Sequence, residues 1–323
     1  MSLLFSARPR AGHNICGSKS LTMTGAVATV ASALVLSGCT IGDPAPLDST
    51  SSESATGPTL PEAESRESSS ISPTLPASST QDSSKAADAQ AALDAAVSAA
   101  VTRFGGQAGI AVADGQGVIA AGQTGPAAAW STSKVPLAIA AHRARVADPA
   151  TISSAITFSD NQAAEQMWQA LGAGEEAAAA VGSVLAEAGN GSTRVQPQVT
   201  RPGFSAFGQT QWSVSDQARF ASRLGCLDGA DQVLSAMQVS DPAQGYGLRQ
   251  FVGARMKGGW GPDESGAYEV RQLGIVSLEG TPVALALFAH PQEGTYEAGQ
   301  AMLSTMTEEL KAAQVTWPSA ACS

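Results

Sequence analysis

Trp130-Ser131-Thr132-Ser133-Lys134-Val135-Pro136-Leu137 sets a serine and a lysine three residues apart at what reads as a helix start. On an α-helix that spacing stacks the two side chains on one face, a turn apart. A serine hydroxyl is a weak nucleophile until a neighbour takes its proton, and a lysine can take it when its amine is neutral. Ser131 is then the candidate nucleophile and Lys134 its base. Ser-x-x-Lys alone is expected on the order of once per chain of average composition. Here lysine is scarce: Lys19, Lys85, Lys134, Lys257 and Lys311 are the full set, and arginine is the usual basic residue.

Composition divides the chain around this stretch. The 323 residues are 43% hydrophobic and 14% charged, which suits a soluble, exported chain and not one with several membrane spans. The formal charge is −10; Arg8, Arg10 and Lys19 precede Cys39 while no acid does, so beyond it 15 basic residues face all 28 acidic ones. An acidic body without a basic patch argues against nucleic acid as a partner.

Residues 1–39 read as a targeting segment: a basic start, an apolar run from Leu21 to Leu36, then small residues. Leu36-Ser37-Gly38-Cys39 resembles the bacterial lipoprotein box, which implies that Cys39 is lipid-modified and becomes the first mature residue. The apolar run is short and broken by Gly25, Thr and Ser, a poor permanent span. The expected location is the extracytoplasmic face of the cell membrane, held by more than one acyl chain. Met23 is a second available start, one that discards the basic region. Residues 40–85 are rich in Ser, Thr, Pro and Glu, a composition expected to stay disordered and to act as a linker giving reach.

The expected folded domain is 86–323. Leu93, Val97, Val101 and Phe104 recur at helical spacing ahead of Gly105-Gly106. Ala108–Ala113 and Val118–Gly122, joined by Asp114-Gly115-Gln116-Gly117, read as a hairpin. The Ser131 helix is expected to continue to Val146, with Pro149 beyond its end. Ser159-Asp160-Asn161 precedes a helix over Gln162–Leu171, and such triplets often serve as caps. Helices over Glu175–Ala188 and Ser215–Leu224 flank an irregular segment, Asn190–Gln211. The chain then turns to strands: Arg255–Trp260, Tyr268–Leu278 and Thr281–Ala289, closed by a helix carrying Met302, Leu303, Met306 and Leu310. Segregated strands and helices indicate α+β: a five-stranded antiparallel sheet, the terminal helices on one face, and a helical subdomain beside it.

In order along that architecture, Ser131-x-x-Lys134, Ser159-Asp160-Asn161 and Lys257-Gly258-Gly259 resemble the motifs of the class A β-lactamase and penicillin-binding-protein superfamily. The family pattern is Ser-x-x-Lys, Ser-Asp-Asn and Lys-Thr-Gly. The resemblance implies that Ser131 is acylated and Lys134 accepts its proton. It implies that Ser159 relays a proton to the leaving nitrogen, that Asn161 binds a substrate amide, and that Asp160 braces the turn. Lys257 would offer positive charge to a substrate carboxylate and help keep Lys134 neutral. Gly259 and Trp260 would line the substrate strand, with the N–H groups of Ser131 and Trp260 forming the oxyanion hole.

Three departures stand against the pattern. The third motif is Lys-Gly-Gly, so Gly258 lacks the family's hydroxyl, and the stretch between Ser131 and Ser159 is short. Class A β-lactamases also carry, after the second motif, a loop Glu followed by Leu-Asn that activates the deacylating water. Asn190–Gln211 holds no acidic residue; Glu187 reads as the end of a helix capped by Gly189.

Other chemistries find less support. His142 and His290 lack zinc-type spacing and no Gly-x-Ser-x-Gly elbow occurs, so no cofactor or metal is expected. Cys226 and Cys322 remain once Cys39 is lipidated; in an exported chain the pair reads as a disulfide, with two buried thiols the alternative. Trp130, Trp168 and Trp212 are core candidates, and Trp260 is placed to line a cleft. The expectation is a slow serine hydrolase or acyltransferase acting on a small-molecule or peptide substrate of the cell wall, of peptidoglycan or β-lactam-like type. The alternative is an envelope binding protein that keeps the fold and little catalysis.

Overall fold

The computed structural model describes residues 78–322 apart from Ser240. The targeting segment, Cys39 and most of the linker lie outside the described residues. Helix α1 (Ser78–Phe104) starts within the stretch read as linker and buries Leu93, Ala96 and Ala100 along one side. It ends at Gly105 and Gly106, both at positive φ (+62° and +72°), where a Cβ would strike Gln292 or the backbone of His290.

Strands β1 (Gln107–Ala113) and β2 (Val118–Gly122) form the expected hairpin, its turn held by Asp114 Oδ1 accepting from the N–H of Gln116 and Gly117, each at 2.8 Å. A short strand β3 (Pro126–Ala128) and a 3₁₀ turn over Trp130–Ser133 lead into α2 (Lys134–Arg143). The helical block continues with α3 (Pro149–Thr157), α4 (Asn161–Ala170) and α5 (Gly174–Glu187). After the long loop come β4 (Gln211–Ser213), α6 (Val214–Arg223) and α7 (Asp231–Gln238). Strands β5 (Arg255–Pro262), β6 (Tyr268–Leu278) and β7 (Thr281–His290) precede the closing helix α8 (Tyr296–Ala312).

The main sheet has the order β2-β1-β7-β6-β5, with every pair antiparallel. Side chains alternate across it. Ile110, Val112, Leu285 and Leu287 meet the α1 and α8 side, while Ala111, Ala284 and Ala286 meet the α6 side. Both faces are covered, so the inner strands read as near-continuous apolar runs. The α+β fold with its five-stranded antiparallel sheet is therefore as the sequence implied.

Three elements differ from the sequence reading. The Ser131 helix is broken: a 3₁₀ turn holds Ser131 and α2 begins at Lys134, ending at Arg143 and not at Val146. Pro149 opens α3 instead of standing beyond a helix, with Asp148 Oδ1 accepting from Thr151 N at 2.7 Å. Proline fits a first helical position because its missing N–H has no partner there in any case. Strands β3 and β4 pair as a separate two-stranded ribbon, too short to leave a periodic signal. The disulfide Cys226–Cys322 is formed, with Cα atoms 5.3 Å apart, and ties the C-terminal tail beside α6.

Candidate active site

The turn that carries Ser131 is built to hold an unusual backbone. Trp130 sits at φ +49°, where a side chain costs about 1–3 kcal/mol and survives only if neighbours fix it. They do: its indole Nε1 donates to Glu269 Oε2 at 3.1 Å, its ring packs edge-on against Phe204 at 5.3 Å, and Gly261 lies beneath with no room for a Cβ. Ser133 Oγ donates to Trp130 O at 2.6 Å, and Thr132 Oγ1 accepts from Gln217 Nε2 at 2.7 Å. In a 3₁₀ turn residues i and i+3 eclipse, so Ser131 and Lys134 lie one above the other at the entry to α2. The N–H of Ser131 belongs to the unpaired donors of a helix start.

The second motif sits on another strained turn, with Ser159 at φ +57°. Asp160 caps α4, accepting from Gln162 N at 2.8 Å and Ala163 N at 3.2 Å, while Ser154 Oγ donates to its other oxygen at 2.8 Å. That hydroxyl, helped by the two amides, holds the Asp160 carboxyl below its usual range. Asp160 is thus a brace, and it leaves Ser159 and Asn161 facing the lysines.

Lys134 Nζ donates to Ser159 O at 2.5 Å, to Asn161 Oδ1 at 2.7 Å and to Ser159 Oγ at 3.4 Å. Lys257, on β5, donates to the same Ser159 Oγ at 2.9 Å and to Gly258 O at 2.9 Å. Both lysines are buried, at 1% and 0% exposure. Burial lowers Lys134 from the ordinary lysine value to about 8, with the Asp160 charge acting in the opposite direction. Lys257 falls well below the ordinary value, first through burial and then through the charge of Lys134. The two amines share Ser159 Oγ, so each charge disfavours protonation of the other. The Lys257 amine is fully enclosed and reaches the cleft only through Ser159 Oγ.

Among the described residues no hydrogen bond involves the Ser131 hydroxyl. Ser159 Oγ bridges the two lysines, and the Lys134 amine is turned toward Asn161. Gly259 brings the third motif against the Ser131 turn: a Cβ there would lie 2.9 Å from Ser131 N and Thr132 N and 3.0 Å from Ala129 O. Trp260 is half-buried and stacks on Tyr296 at 5.1 Å; Trp130, Trp168 and Trp212 are buried.

A cleft of about 710 Å³ opens over these groups, lined by Ser131, Ser159 and Asn161, by Trp260 and Tyr268, and by Val199, Phe204 and Ser205 of the acid-free loop. Glu165 of α4 also lines it, and sequence reasoning passed over this residue. The available signal was spacing: Glu165 stands four residues after Asn161, on the same helix face. Glu187 lies elsewhere, paired with Arg143 at 2.7 Å. His290 pairs with Asp263 at 3.0 Å, and no group of three or more His, Cys, Asp or Glu able to hold a metal occurs among the described residues.

No family model and no curated protein matches the chain in sequence. Among solved structures it is similar to the β-lactamase of Sphaerobacter thermophilus, with TM-score 0.54 and 18% identity over 69% of this chain and 97% of that one. It is similar also to the class A β-lactamase of Mycobacterium abscessus, with TM-score 0.55 and 18% identity over 69% and 98%. For the TLA-3 extended-spectrum β-lactamase the TM-score is 0.58 and the identity 11%, over 70% and 100%. At these identities the likeness carries the architecture, and the geometry above must carry the chemistry. The chain has the fold of the class A serine β-lactamases.

Proposed function

We propose that the chain is a slow serine acyl-transfer enzyme of the cell envelope, hydrolase or acyltransferase, acting through Ser131 on peptidoglycan-type peptides or β-lactam-like amides. One observation carries this reading: two buried lysines converge on Ser159 Oγ, at 3.4 Å and 2.9 Å, beneath a cleft that Ser131 lines. Burying two amines side by side is costly, and such displaced lysines mark sites where proton transfer is wanted. In the cycle proposed, neutral Lys134 swings from Asn161 to take the Ser131 proton as Oγ attacks the acyl carbon. Ser159 then passes a proton to the leaving nitrogen and is reprotonated by Lys134, which holds the proton taken from Ser131 and so returns to its neutral form. The N–H groups of Ser131 and Trp260 face the oxyanion. The acid-free loop on the cleft wall leaves the acyl-enzyme without its usual water-activating group, so deacylation is slow. Cys39 anchors the protein by lipid outside the membrane, and the linker gives it reach.

The unbonded Ser131 hydroxyl favours a second reading, an envelope binding protein using the same cleft with little catalysis. Intact-mass spectrometry after incubation with penicillin, beside Ser131→Ala, separates the two. The enzyme reading expects a persistent adduct that Ser131→Ala abolishes; its absence with penicillin and with a panel of amides and esters leaves binding. Rapid steady-state nitrocefin turnover would contradict the slow-deacylation part.

A further inference from the structure

We infer that the cleft selects positively charged acyl donors over anionic ones, and that Glu165 is the residue that selects them. The inference deepens the acyl-transfer reading above and rests on it. Glu165 is the one charged side chain among the residues lining the cleft. It stands one helical turn from Asn161, whose amide faces the Ser159–Lys134 cluster. One carboxylate oxygen accepts from Gln169 Nε2 at 2.7 Å, and the other makes no hydrogen bond among the described residues.

Among the described residues no cation answers it from within the cleft. The amines of Lys134 and Lys257 lie under the floor, engaged by Ser159, Asn161 and the Gly258 carbonyl. Arg201 stacks behind Phe204, 4.8 Å from its ring, and donates to Pro262 O at 2.8 Å and Asp263 O at 3.0 Å, facing a separate cleft. Gly258 adds no hydroxyl that would receive a carboxylate. An entering carboxylate therefore meets net negative charge and no exposed side-chain cation, whereas an ammonium or guanidinium meets a carboxylate with a free oxygen.

The test measures equilibrium binding to the full chain carrying Ser131→Ala. The probes are acetyl-Lys-Ala-Ala, acetyl-norleucyl-Ala-Ala and acetyl-Glu-Ala-Ala, each as free acid and as amide. Lysine amide should bind tightest and glutamate free acid weakest, with about fivefold for each charge changed, the upper end for a solvated ion pair. Adding Glu165→Gln should collapse the spread, and Glu165→Lys should reverse it. No binding by any probe, or an order unchanged in Glu165→Gln, overturns the inference. Loss of acyl-enzyme turnover in Glu165→Gln with an unchanged charge order would assign the residue to deacylation and overturn it equally. Covalent labelling is read separately, so an intact charge order without any Ser131 adduct removes the acyl-transfer reading alone.

Discussion

If neutral Lys134 is the base, acylation of Ser131 must follow the deprotonation of one buried amine. With that amine at about 8, about 1% of it is neutral at pH 6, 9% at pH 7, 50% at pH 8 and 91% at pH 9. The acylation rate at fixed probe concentration should then rise about ninefold from pH 6 to 7, fivefold from 7 to 8 and under twofold from 8 to 9. The assay is single-turnover labelling by an uncharged acyl ester, followed by intact mass so that probe ionisation does not enter. Asp160 supplies an internal check, because its charge raises Lys134 while its side chain caps α4. Asp160→Asn keeps a capping group and removes the charge, so the inflection should move to lower pH. A flat profile from pH 6 to 9, or an upward shift in Asp160→Asn, would refute Lys134 as the proton acceptor.

The same lysine makes a stability prediction. Its folded value lies below its unfolded one, so between about pH 8 and 10.5 the unfolded state binds more protons and stability gains with rising pH. Relative to Lys134→Met, the wild type should gain about 3 kcal/mol across that window in urea melts, and a constant difference would contradict the burial argument. Gly259→Ala should leave a folded domain but cut acylation at least about tenfold, since the new methyl displaces Ser131 N. Wild-type labelling rates in that variant would show the close approach to be unimportant. A Cβ at Gly258 would meet Gln244, Tyr246 and Trp260 no closer than 3.5 Å, so Gly258→Ala should change stability in a urea melt by under about 1 kcal/mol, and a larger loss would show the space to be closed. Reducing Cys226–Cys322, which spans 96 residues, should cost about 2–4 kcal/mol in a denaturant melt; an unchanged midpoint would mean the tail adds nothing.

The sheet was legible because β6 and β7 are long, carry apolar runs over 273–276 and 283–289, and are punctuated by Glu279-Gly280. The first two motifs were legible because each falls at an element boundary, where sequence signals are strongest, and the third, inside β5, through its place in order after them. What escaped the sequence depended on contacts between distant residues. The break at Trp130 follows from Glu269 and Gly261, over 130 positions away, and no local pattern announces it. Pro149 was misread because a proline one residue after an aspartate serves equally to follow one helix or to open the next. Glu165 gave no local signal of its own, because a lone glutamate on the first turns of a capped helix reads as solvated surface. The lowered amines of the two lysines depend on their enclosure, and enclosure is a property of packing.

The most direct measurement is labelling of the purified protein with a neutral fluorophosphonate, with the modified residue located by peptide mass mapping. Such a probe reports an activated serine whatever charge the natural substrate bears. Modification is expected at Ser131, faster at pH 8 than at pH 6, and lost in both Ser131→Ala and Lys134→Met. Modification that persists in Lys134→Met, or an unlabelled Ser131 at every pH, would contradict that expectation.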